Sequence, residues 1–174
     1  IDAPSKNIIV LPNNRNLVAA AEQAADISDK QVVVVPTKSI PQGVAAILAL
    51  NTEESMEQNE NVMNGVIGLI KTGEVTEAVR SVKFGDLSVE RGQLIGLLEH
   101  ELTVTGTNVE QVVLALLDKA GVNDGDLVTL YWGDLVSEEI ARNTAQAATD
   151  RFPLAEIEVV EGGQPHYHFF VSIE

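Results

Sequence analysis

An α/β fold of two lobes, the first with a parallel sheet core and the second with a mixed sheet, is the class this 174-residue sequence predicts. Three observations carry the expectation. Gln31–Val35 holds four consecutive valines, the composition of a strand covered on both faces in a parallel sheet. Apolar runs of strand length alternate along the chain with segments of helical period. From Glu74 onward the texture changes to shorter runs and tight turns that end in an α-β-α-β-β order. The expected lobes are residues 1–84 and 85–174, meeting near residues 74–90 and packed together as one compact region.

The elements follow in order. Asn7–Leu11 is a short apolar strand, and Asn13 or Asn14 then serves as N-cap for a helix with Leu17, Ala20, Ala21 and Ala24 on one face. After the Gln31–Val35 strand, a polar turn leads to a small helix over Val44–Leu50. Glu53–Ile70 is a helix with an imperfect apolar face of Met56, Val62, Met63, Val66, Ile67 and Ile70, ended by Gly73. Glu74–Phe84 alternates as a strand, and Gln93–Leu98 with Glu101–Thr105 forms a hairpin around Glu99-His100. Asn108 caps a helix over Val109–Ala120, Leu127–Trp132 is a strand, and Ser137 starts a helix to Thr149 with Glu138 and Glu139 in its first turn. Two last runs, Ile157–Glu161 and His168–Ile173, flank Gly162-Gly-Gln-Pro165 and are expected to form a hairpin, since glycine and proline both favour a sharp turn.

Composition narrows the function. A formal charge of −15 repels phosphate backbones, and no cluster of Lys and Arg interleaved with aromatics argues for nucleic acid. The longest apolar run, Val44–Leu50, is far short of the ~20 residues that span a bilayer. The absence of cysteine removes a disulfide framework and a thiol nucleophile, as suits a reducing compartment, and a cytoplasmic location is expected. The chain opens on Ile1 rather than Met, which reads most simply as a piece of a longer protein cut at the linker end Asp2-Ala-Pro-Ser5, with a processed secreted protein as the alternative.

Catalytic motifs are missing. Neither Gly-x-x-x-x-Gly-Lys-Ser/Thr nor a Gly-x-Gly-x-x-Gly after a strand is present, and there is no Gly-x-Ser-x-Gly elbow. Asn123-Asp-Gly-Asp126 reads as a turn rather than a magnesium site. His166 and His168, two apart on a strand, have the spacing of metal ligands, yet His100 is the only other histidine, so they read as ordinary strand or turn residues with no role assigned. No catalytic residue and no cofactor is expected in this chain.

What remains is a polar rim. Ligands and partners of a parallel sheet meet the loops beyond the carboxyl ends of its strands. Asn13 and Asn14 follow the first strand; Thr37 and Lys38 follow the second; Gln42 leads into a helix N-terminus whose N–H groups suit a carboxylate or phosphate. Gly163 and Gln164, at the late turn, are the second candidate. Each of these residues also fits a simpler role as a cap or turn.

Four ordered segments, Asn7-Ile-Ile-Val-Leu-Pro-Asn-Asn-Arg-Asn16, Val34-Val-Pro-Thr-Lys-Ser-Ile-Pro-Gln-Gly43, Gly73-Glu-Val-Thr-Glu-Ala-Val-Arg80 and Gly162-Gly-Gln-Pro165, resemble the C-terminal region of the bacterial fatty acid kinase catalytic subunit, of the dihydroxyacetone-kinase-like family. The resemblance covers nearly the whole chain. It implies a DegV-type fold, like that of the family's fatty-acid-binding carrier, and a separate N-terminal kinase domain that binds ATP and magnesium. The family's Pro-Asn-Asn falls on Pro12, Asn13 and Asn14, and its Gly-Gly-Gln-Pro on Gly162–Pro165, with no catalytic role attached. The function it implies is a non-catalytic domain that docks the carrier so that its acyl carboxylate is phosphorylated by the kinase domain. The alternatives are a domain that itself binds a fatty acid or other carboxylate, and a dimerisation module.

Overall fold

Fifteen elements are present in the computed structural model, which describes residues 4–84 and 87–174, with the backbone alone for Val82, Phe84 and Leu87. Asp2 and Ala3 of the expected linker end, and Gly85 and Asp86 at the expected lobe boundary, lie outside the described residues. Two compact units divide at Ile70 and Lys71 rather than at residues 84 and 85. The reason is strand pairing: Lys71–Glu77 belongs to the sheet of the second unit, so residues 71–84 go with it.

In the first unit β1 (Asn7–Val10) and β2 (Gln31–Val34) pair in parallel, Asn7 opposite Gln31 and Val10 opposite Val34. Val35, Ala46, Met63 and Ile67 form the buried cluster, with Ile9, Leu11 and Val33 packed against it. Helix α1 (Val18–Asp26) starts later than expected and without a side-chain cap. The Asn14 carboxamide oxygen instead accepts the Asn16 N–H at 2.9 Å, closing a turn ahead of the helix. Helix α2 (Ile40–Leu48) starts earlier than Val44, because Ser39 accepts the Gln42 N–H at 3.3 Å and Pro41 suits the first turn. Helix α3 (Met56–Ile67) begins at a capping box, Ser55 with Gln58, and stops at Gly68. Gly73, expected to end this helix, lies within a strand.

The second unit is a six-stranded sheet in the order β7-β6-β3-β10-β8-β9. Its strands are β3 (Lys71–Glu77), β6 (Leu94–Leu98), β7 (Glu101–Gly106), β8 (Leu127–Trp132), β9 (Glu156–Glu161) and β10 (Tyr167–Ile173). All pairs are antiparallel except β8 with β9, which helix α5 (Glu138–Arg151) joins as a βαβ crossover. Thus β9 and β10 are not a hairpin: β10 lies on the far side of β8 from β9, and Gly162–His166 carries the chain across the end of β8. The expected Glu74–Phe84 strand is two elements, β3 and β4 (Val82–Phe84), and among the described residues β4 pairs with β5 (Leu87–Val89) in a sheet of their own. The predicted β6–β7 hairpin turns on Glu99 and His100, both at positive φ (50° and 67°), the geometry of a two-residue turn that follows the twist of its strands.

Helix α4 (Val109–Ala120) buries Val112, Val113, Leu116 and Leu117 in a core shared with Val75, Leu130, Phe169 and Val171. Asn108 caps it as predicted, accepting the Gln111 N–H at 2.8 Å. Gly96 on β6 lets the helix come close: a Cβ there stands 2.6 Å from Val104 Cγ2, 2.8 Å from Leu116 Cδ1 and 3.1 Å from Val112 Cγ1. Since three core side chains must give way together, Gly96→Ala is expected to cost ~1–3 kcal/mol of unfolding free energy, measured by urea denaturation; an unchanged midpoint overturns this packing account.

Candidate functional site

The first-strand loops meet because the parallel register continues past the strands. Residues 7 and 31 are partners, and so are Asn13 and Thr37, the same separation further on. The Asn13 N–H donates to the Thr37 hydroxyl at 3.0 Å, and that hydroxyl donates to the Asn13 carboxamide oxygen at 2.8 Å. Asn13 holds φ 53°, a conformation that asparagine tolerates better than most residues. Its carboxamide lies over Gly43, and a Cβ at that position would overlap it. The Gln42 side chain is engaged at both ends: its oxygen accepts the Lys38 N–H at 2.7 Å and its nitrogen donates to the Ile67 carbonyl at 3.2 Å. Thr37 and Gln42 are buried, whereas Asn14 and the Lys38 side chain are exposed. The structure therefore brings Asn13, Thr37, Gln42 and the Lys38 backbone into one hydrogen-bonded rim, with Lys38 and Asn14 facing water beside it.

Gly163 and Gln164 belong to the second unit and do a different task. The Gly162 and Gly163 N–H groups donate to the Trp132 carbonyl at 2.9 and 3.2 Å, and the Gln164 amide donates to the Tyr131 carbonyl at 2.7 Å. The Gln164 carbonyl accepts the Asp134 N–H at 3.2 Å. These bonds pin the crossing chain onto the end of β8, and Gly163 at φ 61° supplies the conformation the crossing needs. Tyr167 stacks on Phe170, ring centroids 4.6 Å apart; burial, aided by the nearby Glu74 charge, pushes its phenol above the usual tyrosine value.

The histidines separate. His100 Nδ1 lies 2.7 Å from Glu74 Oε1, tying the β6–β7 turn to β3. His166 stands before β10 with φ 70°, and its carbonyl accepts the Thr76 hydroxyl at 2.7 Å. His168 is buried, with Nδ1 unbonded among the described residues, and burial, partly offset by Glu77, pushes it below the ordinary 6.5. Among the described residues no three His, Asp or Glu side chains gather as a metal site. Asp126 closes the Asn123–Asp126 turn by accepting the Asn123 N–H at 2.9 Å.

Sequence reasoning missed an apolar cleft of about 320 Å³ in the first unit, lined mainly by Ile9, Leu11, Ile47, Leu50, Met56 and Met63. The signal was present as two methionines seven apart on α3, a spacing that sets both on one helix face. Leu48 and Ile47 on α2 are 80% and 58% exposed, an apolar patch beside that cleft. No described helix is long and apolar enough to cross a membrane.

A two-stranded parallel sheet and a six-stranded mixed sheet with these loops define an α/β protein of the DegV type, and solved structures share that fold. The Streptococcus pneumoniae Fatty Acid Kinase (Fak) B3 protein loaded with linoleic acid matches with a TM-score of 0.67 at 16% identity, over 98% of this chain and 72% of that one. A Thermotoga maritima protein whose structure is described as revealing fatty acid binding function matches at 0.63 and 17%, over 97% and 69%. A DegV family protein from Ruminococcus gnavus with vaccenic acid matches at 0.62 and 13%, over 99% and 73%. The chain belongs to the FakA-like C-terminal family of fatty acid kinases, whose model matches residues 1–174. Uncharacterized proteins of Staphylococcus epidermidis and Staphylococcus aureus are each 34% identical over 169 residues, 97% of this chain, which spans 31% of their length.

Two outcomes follow from this geometry. Thr37→Val leaves the Asn13 N–H and carboxamide oxygen without their partner, so unfolding free energy is expected to fall by ~1–3 kcal/mol; undiminished stability in a chemical melt would show the pair to be dispensable. For His168 the folded state resists a proton that the unfolded chain accepts. Its contribution is therefore complete above pH 6.5, is lost as pH falls through that value, and levels off below the lowered folded value. Comparing wild type with His168→Gln between pH 7.5 and 5.5, the wild type alone should carry this extra loss, with a slope of at most about 1.4 kcal/mol per pH unit for one proton. Parallel profiles would refute the assignment.

Proposed function

We propose that this chain is a non-catalytic docking domain of a fatty acid kinase: it holds a fatty-acid-binding carrier protein so that the acyl carboxylate reaches a kinase domain outside this chain. The observation that carries the reading is the closed polar rim. A site for a fatty acid carboxylate needs donors that face the ligand. Here the Thr37 hydroxyl donates to Asn13, the Gln42 amide donates to Ile67, and the Asn13 carboxamide fills the space over Gly43. The exposed Lys38, Asn14, Ile47 and Leu48 supply the mixture of apolar and polar groups found at protein interfaces. Family membership and the fold support the same reading, since the solved neighbours of this fold include proteins loaded with fatty acids. Docking of this kind makes phosphoryl transfer nearly intramolecular, raising the effective concentration of the carboxylate at the kinase.

A second reading, storage of an acyl chain by the domain itself, is favoured by the apolar cleft of about 320 Å³ between β1, α2 and α3. Native mass spectrometry distinguishes the two: docking predicts a chain that purifies without a stoichiometric lipid and forms a complex with a fatty-acid-loaded carrier. When that complex is measured by surface plasmon resonance, Lys38→Ala is expected to weaken the carrier roughly tenfold with an unchanged melting temperature. Gln42→Ala is expected to lower stability, because it removes both bonds of a buried amide. Full affinity in Lys38→Ala moves the contact away from this rim, and a retained acyl ligand in the isolated chain replaces docking by storage.

A further inference from the structure

Helix α2 and the start of α3 carry apolar side chains that face water. Ile47 and Leu48 are 58% and 80% exposed, and Val62 on α3 is 53% exposed. Ile40 stands seven residues before Ile47, on the same helix face, and is 41% exposed. An apolar track therefore runs along α2, from the polar rim at its start to the cleft at its end. Two hollows flank the α2–α3 connection. The first is the apolar cleft of about 320 Å³, to which Ile47 and Leu50 contribute from α2 and the connection, and Met56 and Met63 from α3. The second, of about 480 Å³, has Ala49 and Asn51 on one wall and Glu54, Gln58, Asn59, Asn61 and Val62 around them. Leu50 lies between Ala49 and Asn51 in the chain, so the two hollows adjoin.

Most polar groups of the second hollow are spent on closing the connection. The Asn59 carboxamide donates to the Asn51, Glu54 and Ser55 carbonyls at 2.8, 3.3 and 3.0 Å, and its oxygen accepts the Asn51 N–H at 2.8 Å. The Asn51 side chain accepts the Glu53 N–H at 3.0 Å, and the Gln58 oxygen accepts the Ser55 N–H and hydroxyl at 3.1 and 2.7 Å. The Glu54 carboxylate and the Asn61 carboxamide have no such partner among the described residues. Nor does the sequence supply a neighbouring cation. No Lys, Arg or His stands between Lys38 and Lys71, whereas Glu53, Glu54, Glu57 and Glu60 do. Glu57, in the first turn of α3, complements the positive end of that helix. Glu54 precedes the cap at Ser55 and shares its hollow with an exposed valine, an arrangement that helix capping does not require.

We infer that the two hollows are paired sockets for the carrier protein, receiving a surface segment that sets an apolar side chain beside a Lys or Arg. The apolar side chain enters the cleft, where two flexible methionines adapt to its shape. The methylene stem of the cation lies on Val62 and Ala49, and its head meets Glu54 and Asn61. The inference rests on the docking reading above and specifies where the partner is gripped and by what chemistry. Charge chooses this occupant over two others. A second copy of the chain would set its own glutamates against these, and a free fatty acid would bring a carboxylate to a cleft whose lining holds no cation.

The test is titration calorimetry of the chain with a fatty-acid-loaded DegV-type carrier at low and high salt. Glu54→Lys is expected to weaken the complex roughly tenfold at low salt and to reduce its salt dependence. Ile47→Ser is expected to weaken it roughly tenfold at both salt concentrations, since it removes an apolar contact. If Glu54→Lys lowers the melting temperature, Glu54→Gln replaces it, with about threefold weaker binding expected. Glu156→Lys, a matched charge reversal on β9, should leave affinity within about twofold. Unchanged affinity in the Glu54 and Ile47 variants overturns the paired sockets and leaves docking standing, whereas failure of the wild-type chain to bind the carrier overturns both. A chain that sediments as a dimer dispersed by Ile47→Ser, or that retains an acyl chain lost in the same variant, gives the cleft another occupant and overturns the inference as well.

Discussion

Placement of β10 between β3 and β8 is the constraint on which the second unit depends. The last strand of the chain is a central strand of the sheet, hydrogen-bonded on both edges, with Phe169 opposite Trp132 and Val75, and Val171 opposite Leu130 and Gly73. Its inward residues, Phe169, Val171 and Ile173, are buried in the core with α4, each worth ~1.5–3 kcal/mol for a large side chain. Two features permit it. Gly73 and Gly96 carry no side chain where Leu116 packs down on the sheet, and the Gly162–Gln164 bonds to the end of β8 steer the chain across into its slot.

The first unit rests on a smaller device with a comparable reach. In-register parallel pairing of β1 and β2 delivers two loops to the same edge, and the reciprocal bonds of Asn13 and Thr37 continue the pairing beyond the last strand residues. Ser39 and Gln42 then bind backbone N–H groups at the start of α2, joining the rim to that helix. In the docking reading proposed above, it is these internal bonds that turn the rim away from holding a carboxylate.

Much of this was legible in the residues. Caps at Asn108 and Ser137, the two-residue turn at Glu99-His100, the boundaries of α4 and β8, and the two sheet types follow from local rules, because each is decided by a few adjacent residues. The rim was legible as a set of positions, since parallel strands send their following loops to one edge. Its internal bonding was not, because which oxygen accepts which N–H depends on a register that no single segment contains.

Local chemistry by itself determined which segments are helical, the bounds of α4, the Glu99-His100 turn, and that the polar loops cluster after the first two strands. Tertiary pairing decided the rest. The divide between units falls at Ile70 and Lys71 instead of near residue 84, because β3 finds its partners in β6 and β10. The two strands flanking Gly162–Pro165 look like a hairpin in sequence, yet β8 stands between them. Neighbouring residues specify a turn, whereas strand order is set by which apolar faces can be buried together, and that is a property of the whole sheet.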